Sequence, residues 1–186
     1  MNETLNAIYN RRAIRHYTSD QLSDDQLQQI LKAALYAPNA MNKQNWHFTV
    51  IQNKELMNKL SSLITDNIIN LNIKPLIKMI SHPAYDPFYN APTVIFISGN
   101  DQAEFVKIET GAAAQNIALA AESLGLGSCV ITMPMYAFAS QNADELKKYL
   151  GIPEGYSYIC SVVLGYTEGE LPEVPLRNTD VINYIK

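Results

Sequence analysis

The arginines of this sequence are gathered in a way that suggests the binding of an anion. Only four occur among the 186 residues, and three of them, Arg11, Arg12 and Arg15, fall within five positions, while Arg177 lies near the end. A guanidinium group keeps its charge and donates forked hydrogen bonds that match a phosphate group. The alternative is a solvated helix end, where basic side chains favour the helix dipole and where runs of charge are common.

A run of amide side chains marks residues 37–46, which we call the amide loop. It contains three asparagines, one glutamine and the only tryptophan of the chain, in the order Ala37-Pro38-Asn39-Ala40-Met41-Asn42-Lys43-Gln44-Asn45-Trp46. Amide groups both donate and accept hydrogen bonds, as a heterocyclic ring with alternating carbonyls and ring nitrogens requires. Asparagine also bonds to its own backbone in turns, so a plain turn is the alternative.

Two further features lie on predicted helices. Asn67 falls on the apolar stripe that includes Leu63 and Ile64, so its buried amide needs a hydrogen-bond partner, which is either backbone or a ligand. The run Gly111-Ala112-Ala113-Ala114 places small side chains in the longest helix. Such a helix can pack closely on the sheet of its own chain or on a second copy in a dimer.

Composition excludes several classes of function. Hydrophobic residues make up 47% of the chain and charged residues 17%, which is typical of a folded domain with its own core. The net charge of -4 and the pI near 5.3 argue against nucleic-acid binding through bulk charge. The first residues lack a leader pattern, and no apolar run approaches about 18 residues, so we expect no membrane span and a cytoplasmic location.

The cysteines and histidines form no recognisable metal or disulfide pattern. Cys129 and Cys160 stand apart and the three histidines are scattered, so we expect no metal site and a reducing compartment. Cys129, in an apolar strand, is expected to be inert. The sequence contains no GxGxxG, GxSxG, HExxH or P-loop motif, so a dinucleotide-binding fold is not supported.

Hydrophobic periodicity predicts a small domain in which helices and strands interleave. The predicted strands are His47–Gln52, Thr93–Ser98, Ser128–Thr132 and Ser157–Leu164. The predicted helices are Thr4–Tyr9, Leu27–Leu35, Leu56–Leu71, Glu104–Leu124 and a helix through Leu150, with a helix fragment and a loop in 74–92. A capping box of Ser23 and Gln26 begins the second helix, and Pro38 stops it. Gly125 closes the fourth helix, and Asn142 with Glu145 caps the last. Four strands covered by helices form an α+β or α/β domain. Residues 165–186, which we call the C-terminal arm, either fray or pair with another chain.

Taken in order, these segments resemble the nitroreductase family of flavin-dependent oxidoreductases over nearly the whole chain. The segment Arg11-Arg12-Ala13-Ile14-Arg15-His16-Tyr17 is similar to the family's opening R-R-S-x-R-x-[FY], and the amide loop is similar to A-P-S-x-x-N-x-Q-P-W. The resemblance continues through Ala91–Ile95, Gly111–Asn116, Leu124–Ile131, Gly151–Tyr156 and Leu164–Tyr166. The order and spacing of these segments carry the resemblance, since no single motif decides it.

The resemblance implies a fold, an assembly and an activity. The expected fold is α+β, with a central and mostly antiparallel sheet flanked by helices in one FMN-binding domain over residues 1–186. The expected assembly is a homodimer with two FMN sites at the subunit interface, in which the C-terminal arm donates a strand to the partner's sheet. The expected activity is transfer of hydride from NADH or NADPH through flavin N5 to a nitroaromatic, quinone or flavin acceptor by a ping-pong mechanism.

The resemblance also assigns residues to the FMN site. The phosphate and ribityl end would be held by Arg11, Arg12, Ala13 and Arg15, with Arg177 closing on the phosphate. The ring would be bordered, in part across the interface, by Pro38, Asn39, Ala40, Asn42 and Gln44, contacted by Asn67, and lined near N5 by the backbone of Ile131, Thr132 and Met133. Ala13 replaces the usual serine and removes one hydroxyl contact, and Asn39 and Asn45 replace the usual serine and proline. Residues 72–89 are the candidate lid of this short chain.

Two other functions stay open at this point. One is a flavin-binding protein of the same fold that stores, senses or dismantles flavin without turning over nicotinamide. The other is a helical interaction module without a cofactor, whose arginines bind a protein or an anionic surface. Steady-state NAD(P)H oxidation separates the first from the oxidoreductase, and a visible absorption spectrum excludes or supports the second.

Overall fold

The computed structural model describes residues 2–186, which form six α-helices and four β-strands. In chain order the elements are α1 (Glu3–Asn10), α2 (Asp24–Leu35), β1 (Trp46–Ile51), α3 (Lys54–Asn70), α4 (Lys74–Ile80), β2 (Thr93–Asn100), α5 (Val106–Ser123), β3 (Gly127–Ile131), α6 (Ala143–Tyr149) and β4 (Tyr156–Gly165). Short 3₁₀ turns at Ala40–Asn42 and Met133–Phe138 follow no sequence prediction. None of the helices in residues 2–186 has the length and apolarity needed to cross a bilayer.

The four strands form one antiparallel sheet in the order β1-β2-β4-β3. At one end of the sheet Trp46 lies opposite Gly99, and at the other end Thr93 and Ser128 lie opposite Leu164. Because every pair of strands is antiparallel and helices cover the sheet, the fold is α+β, as the sequence predicts, and the α/β alternative is wrong.

Alternating side chains of β2 build a hydrophobic core on each face of this sheet. Val94 and Phe96 pack in the core that contains the buried side chains of α3, whereas Ile95 and Ile97 pack in the core that contains those of α2 and α5. All four side chains are fully buried, and burial of each stabilises the fold by about 1.5–3 kcal/mol. The two cores fix the helices to opposite faces of the sheet, so the sheet sets where each loop emerges.

The predicted helix signals act largely as expected, and the observed bounds lie within a few residues of the predicted ones. The Ser23 hydroxyl accepts a hydrogen bond from the Gln26 amide at 3.2 Å, and the Gln26 side chain accepts one from the Ser23 amide at 3.0 Å, which completes the capping box. Gly125 adopts a φ of 72° after α5, and the Leu126 amide donates to the Ala121 carbonyl at 2.9 Å. This left-handed C-terminal motif favours glycine.

Two details of the helix prediction are wrong. The Asn142 side chain makes no cap hydrogen bond to α6, because its backbone lies near the helical region (φ -92°, ψ 14°) rather than in the extended conformation of a capping residue. Leu35 does not join the buried stripe of α2 and is 52% exposed. Eight residues at about 100° each place it roughly 80° around the helix from Leu27.

The C-terminal arm follows β4, which includes Gly165, and residues 166–186 form no helix or strand. Its first residues are tied to the body of the domain, because Thr167 pairs with Tyr17 and the Glu168 amide donates to the His16 carbonyl at 3.0 Å. Beyond them the arm carries large exposed apolar side chains, including Leu176 at 99% and Ile185 at 100% exposure. Beyond Glu168, the arm therefore has no strand partner among the described residues of the single chain.

Gly127 sets how closely the segment of residues 11–17 approaches β3, and we predict that Gly127→Ala destabilises the fold. An added Cβ would lie 2.7 Å from Thr167 Oγ1 and 3.0 Å from Ile14 Cβ and Cγ1. We expect the free energy of unfolding, measured by urea titration, to fall by about 1–3 kcal/mol because of this overpacking. The cost should be smaller in a Thr167→Ala background, which removes the nearest of these atoms, and an equal cost in both backgrounds would contradict that contact.

Candidate functional site

Residues 11–17, which we call the arginine segment, run beside β3 as a short extended piece at the edge of the sheet. Ala13 pairs with Ser128 in a parallel bridge, and the Ile14 amide donates to the Ser128 carbonyl at 2.9 Å. Side chains of an extended segment alternate between its two sides. Arg11, Ala13 and Arg15 therefore share one side, and Arg12 points to the other.

The charges of Arg11 and Arg15 meet near Cys129. Burial raises the pKa of the Cys129 thiol, and the positive charges of Arg15 and Arg11 oppose that rise. The guanidinium carbon of Arg15 also lies 5.7 Å from the ring centroid of Tyr89, a cation–π distance. Arg15, Tyr89 and the neighbouring His16 line a cavity of about 370 Å³. The positive charges of Arg11 and Arg15 thus both act on the same thiol.

Arg12 has a different environment. Its Nη1 donates to the Tyr9 carbonyl at 2.7 Å and to the Arg11 carbonyl at 2.9 Å, where α1 ends. Its Nε is buried without a partner among residues 2–186, and Arg12 borders a separate cavity of about 140 Å³. The helix-end interpretation thus describes Arg12, and the three arginines do not converge within one chain.

The amide loop has an unusual backbone conformation. Met41 and Asn42 have φ values of 54° and Gln44 has a φ of 50°, all in the left-handed region that most residues avoid. Each such residue costs about 1–2 kcal/mol, least for asparagine. Asn39 closes the loop, because its Oδ1 accepts a hydrogen bond from the Gln44 amide at 2.9 Å. The loop is therefore a turn, as the plainer interpretation predicts, but a strained one, and such strain is concentrated at functional sites.

Glu109 anchors this loop and is a residue that the sequence reasoning missed. Its Oε1 accepts a hydrogen bond from the Ala40 amide at 2.8 Å, its side chain is only 5% exposed, and its Oε2 is buried without a partner among residues 2–186. A signal was available in the sequence, because Glu109 occupies the same helix face as the buried Ala113 and Ile117. A carboxylate on a buried helix face needs a hydrogen-bond partner, which the sequence pattern alone could have indicated.

Asn67 has a backbone partner. Its Nδ2 donates to the Tyr136 carbonyl at 2.8 Å and so ties α3 to the 3₁₀ turn that follows β3. The Ile131 carbonyl, at the end of β3, accepts a 3.3 Å hydrogen bond from the Tyr158 hydroxyl, which itself accepts one from Ser161 at 3.0 Å. Side-chain hydrogen bonds therefore hold the backbone at Ile131 and again at Tyr136, on either side of residues 132 and 133. Thr132 is exposed and Met133 is half-buried.

The arginine segment and the amide loop lie at diagonally opposite corners of the sheet. The arginine segment is beside β3 at Ser128, whereas the amide loop leads into β1 at Trp46. Four inter-strand spacings separate them across the sheet, about 19 Å, and the six residues from Thr93 to Gly99 separate them along it, about 20 Å. They are therefore too far apart in one chain to contact the same small heterocycle. Residues 131–133 share the β3 edge with the arginine segment.

Arg177 lies on the exposed arm, where its Nη1 donates to the Pro175 carbonyl at 3.0 Å. Within residues 2–186, Arg12 and Arg177 donate to backbone carbonyls, and Arg15 donates to the Ala13 carbonyl beside Tyr89, whose side chain raises the pKa of Arg15. None of these guanidinium groups donates to a carboxylate among these residues. In a chain with more acidic than basic residues, this leaves the arginines able to bind an external anion.

A group of large apolar side chains is exposed around the amide loop. We call it the α2–α5 patch, and it consists of Leu35, Tyr36, Met41, Phe105 and Ile108. Ala113 and Ala114 of the small-residue run are buried against their own chain, as the plainer interpretation predicts. Gly111 is exposed, and a Cβ there would meet nothing within 4 Å in the same chain. A glycine inside a helix costs about 0.5–1 kcal/mol relative to alanine, and no contact among residues 2–186 requires one at this position.

Comparison with known proteins gives consistent matches. The model of the family described as "Nitroreductase family" matches residues 8–166. A candidate NADH dehydrogenase/NAD(P)H nitroreductase from Archaeoglobus fulgidus is 34% identical over 170 residues, which cover 91% of this chain and 88% of that protein. The FMN reductase [NAD(P)H] of Bacillus subtilis is 26% identical over 190 residues, covering 99% and 74% respectively. The crystal structure of a nitroreductase with bound FMN from Desulfitobacterium hafniense is 35% identical, covers 100% of both chains and superposes with a TM-score of 0.93.

Proposed function

Because this chain belongs to the nitroreductase family, we propose that it is an FMN-dependent NAD(P)H oxidoreductase whose flavin sites form between two copies of the chain. The family match and the FMN-bound structural neighbour carry the enzyme class and the cofactor. The residue assignments, the dimer and the kinetic mechanism are our proposal. The observation that supports them most directly is the diagonal separation of two polar half-sites on one sheet.

The residues of the two half-sites fit FMN. The phosphate and ribityl groups need permanent cations that are not already paired, and Arg11 and Arg15 share one side of the arginine segment. The ring needs donors and acceptors in alternation, and the exposed side chains of Asn42 and Gln44 bond to no other residue among residues 2–186. Arg12, by contrast, supports the end of α1, so we assign it only a secondary contribution.

The protein's task in this mechanism is positioning. Bound FMN would supply the hydride- and electron-transfer chemistry, so no protein acid or base would be required for that transfer. Arg11 and Arg15 would hold the anionic tail, with Arg177 reaching it when the arm is docked. The held backbone of residues 131–133 would line the reactive edge, and Asn67 would keep that backbone in place through the Tyr136 carbonyl.

The amide loop would complete the site from the partner subunit. Pro38, Asn39, Ala40, Asn42 and Gln44 lie on this loop, and none can reach the arginine segment of the same chain across the sheet. The α2–α5 patch surrounds the loop and supplies an apolar surface that a second copy can bury. The arm, residues 165–186, carries exposed apolar side chains that pairing with the partner would cover. We therefore propose one domain per chain, completed by exchange of the arm.

NADH or NADPH and the electron acceptor would occupy the same space in turn, which is the basis of a ping-pong mechanism. We propose nitroaromatics, quinones and flavins as acceptors. Residues 72–89 contain α4, whose Leu76 and Ile77 pack against the core. In a lid of this region, the residues next to α4 would move while α4 itself stays folded.

The proposed ping-pong mechanism predicts parallel lines in double-reciprocal plots of the reaction rate. When NAD(P)H oxidation is measured against a quinone or nitroaromatic at several fixed acceptor concentrations, double-reciprocal plots should be parallel because the first product leaves before the acceptor binds. Intersecting lines would contradict the proposal that NAD(P)H and the acceptor occupy the same space in turn. Flavin-loaded protein that fails to oxidise NADH and NADPH would support the flavin-storage alternative instead.

The arginine assignment predicts unequal effects of three substitutions. Arg11→Ala and Arg15→Ala should each weaken FMN binding by about tenfold or more, because each removes a charge-assisted contact to the anionic tail. Arg12→Ala should weaken binding less and should mainly lower the melting temperature, since Arg12 bonds to the carbonyls that end α1. Fluorescence titration of flavin-depleted protein checks this order. An equal loss of FMN affinity in all three variants would contradict the placement of Arg12 on the opposite side of the arginine segment from Arg11 and Arg15.

The dimer proposal predicts that a charge on the α2–α5 patch separates the subunits and releases the flavin together. Ile108→Glu, at a side chain that is 74% exposed, should give a colourless monomer by size-exclusion chromatography with light scattering. Tyr149→Glu on α6 is the matched control, because Tyr149 is 72% exposed and lies outside the patch. A yellow Ile108→Glu monomer would show that one chain suffices for the site.

A further inference from the structure

Glu109 is a buried carboxylate whose burial the fold of a single domain does not require. It lies in the first part of α5, is 5% exposed and has one hydrogen bond, from the Ala40 amide 69 positions away in sequence. A carboxylate loses much of its hydration when it is buried, and this one regains a single hydrogen bond from the described chain. Alanine or leucine would pack on this helix face without that cost. The carboxylate therefore does something that an apolar residue cannot do.

The partner of Glu109 is the residue at which the strained part of the amide loop begins. Ala40 directly precedes Met41 and Asn42, whose φ values are both 54°, and Gln44 follows with a φ of 50°. A backbone in this region persists only where the surrounding structure holds it. Within the loop, the Asn42 and Lys43 amides donate to the Asn39 and Ala40 carbonyls, and the Gln44 amide donates to Asn39 Oδ1. Beyond the end of α2, two hydrogen bonds tie the loop to the body of the domain: the Asn100 amide donates to the Asn45 carbonyl at the loop's end, and the Ala40 amide donates to Glu109 beside the strained residues.

The packing around Glu109 makes this tie rigid. One turn further along α5, Ala113 is fully buried against Ala37 and Trp46, the first and last residues of the loop. The ends of the loop are thus fixed to α5 by apolar contact, and its middle is fixed to α5 by the carboxylate. Since Asn42 and Gln44 are exposed on the far side of the loop, their placement depends on these contacts.

We propose that Glu109 is the positioning residue of the amide loop. Its Oε1 fixes the Ala40 amide and thereby presets the left-handed backbone that presents Asn42 and Gln44 to the ring. This inference rests on the proposed function for what the loop positions, whereas the tie between Glu109 and the loop is independent of any ligand. Glu109 acts through the loop and does not touch the reacting atoms.

The test compares Glu109→Ala, Glu109→Gln and Thr110→Val in the flavin-loaded protein. Glutamine keeps an oxygen that can accept from the Ala40 amide, whereas alanine removes it. Thr110 is the matched control, because it is the next residue of α5 and is fully buried. Valine in its place loses the hydroxyl's hydrogen bonds to the Val106 and Lys107 carbonyls, at 2.7 Å and 3.3 Å, and neither of these involves the loop. Amide hydrogen exchange of residues 40–44 and the FMN dissociation constant are measured for each variant.

We expect Glu109→Ala to speed amide exchange at residues 40–44 by about tenfold and to raise the FMN dissociation constant by about tenfold. Each change corresponds to the loss of one charge-assisted hydrogen bond. Glu109→Gln should stay within about threefold of the unmodified protein on both measures, since a neutral acceptor remains. Thr110→Val should leave both unchanged even if it lowers the melting temperature.

If Glu109→Ala leaves amide exchange of the loop unchanged, or if Thr110→Val speeds it equally, Glu109 does not hold the loop. Faster loop exchange with unaltered FMN affinity would overturn the positioning role while leaving the flavin assignment intact. Failure of the unmodified protein to bind FMN would instead overturn the proposed function, and the exchange comparison would still decide whether Glu109 holds the loop.

Discussion

The width of a four-stranded sheet separates the two groups of polar residues that this chain carries. The arginine segment pairs with the β3 edge, and the amide loop leads into the β1 edge at the other end of the strands. Both positions are fixed by backbone hydrogen bonds and by cores on each face of the sheet, so neither group can migrate toward the other. On our proposal, a cofactor that is held by cations at one end and by amide groups around its ring draws on two copies of the chain.

The same constraint gives a single reason for features that are costly in an isolated chain. The exposed apolar side chains of the arm and of the α2–α5 patch, and the exposed Gly111, have no partner among residues 2–186 that would explain them. Each lies where a second subunit would approach if the half-sites are to meet. Glu109 fits this scheme, because a loop that serves the neighbouring subunit's ligand has to be held from its own side.

Sequence reasoning predicted what depends on periodicity and local chemistry, and missed what depends on sheet order. The four strands, the capping box at Ser23 and the glycine end of α5 follow from patterns within a few residues. The strand order, which places the arginine segment and the amide loop far apart, involves contacts between distant segments and leaves no local signal. The divergence of Arg12 from Arg15 depended on the extended backbone of the arginine segment, and the role of Glu109 depended on a contact across 69 positions.

Subunit complementation tests the two-chain site most directly. One variant loses the cationic half (Arg11→Ala with Arg15→Ala), the other loses the loop half (Asn42→Ala with Gln44→Ala), and the two are mixed under conditions of subunit exchange. If each site takes one half from each chain, mixed dimers contain one intact site, and flavin should return to about a quarter of all sites in a statistical mixture. Flavin content that stays at the level of the separate variants would contradict a site shared between two chains.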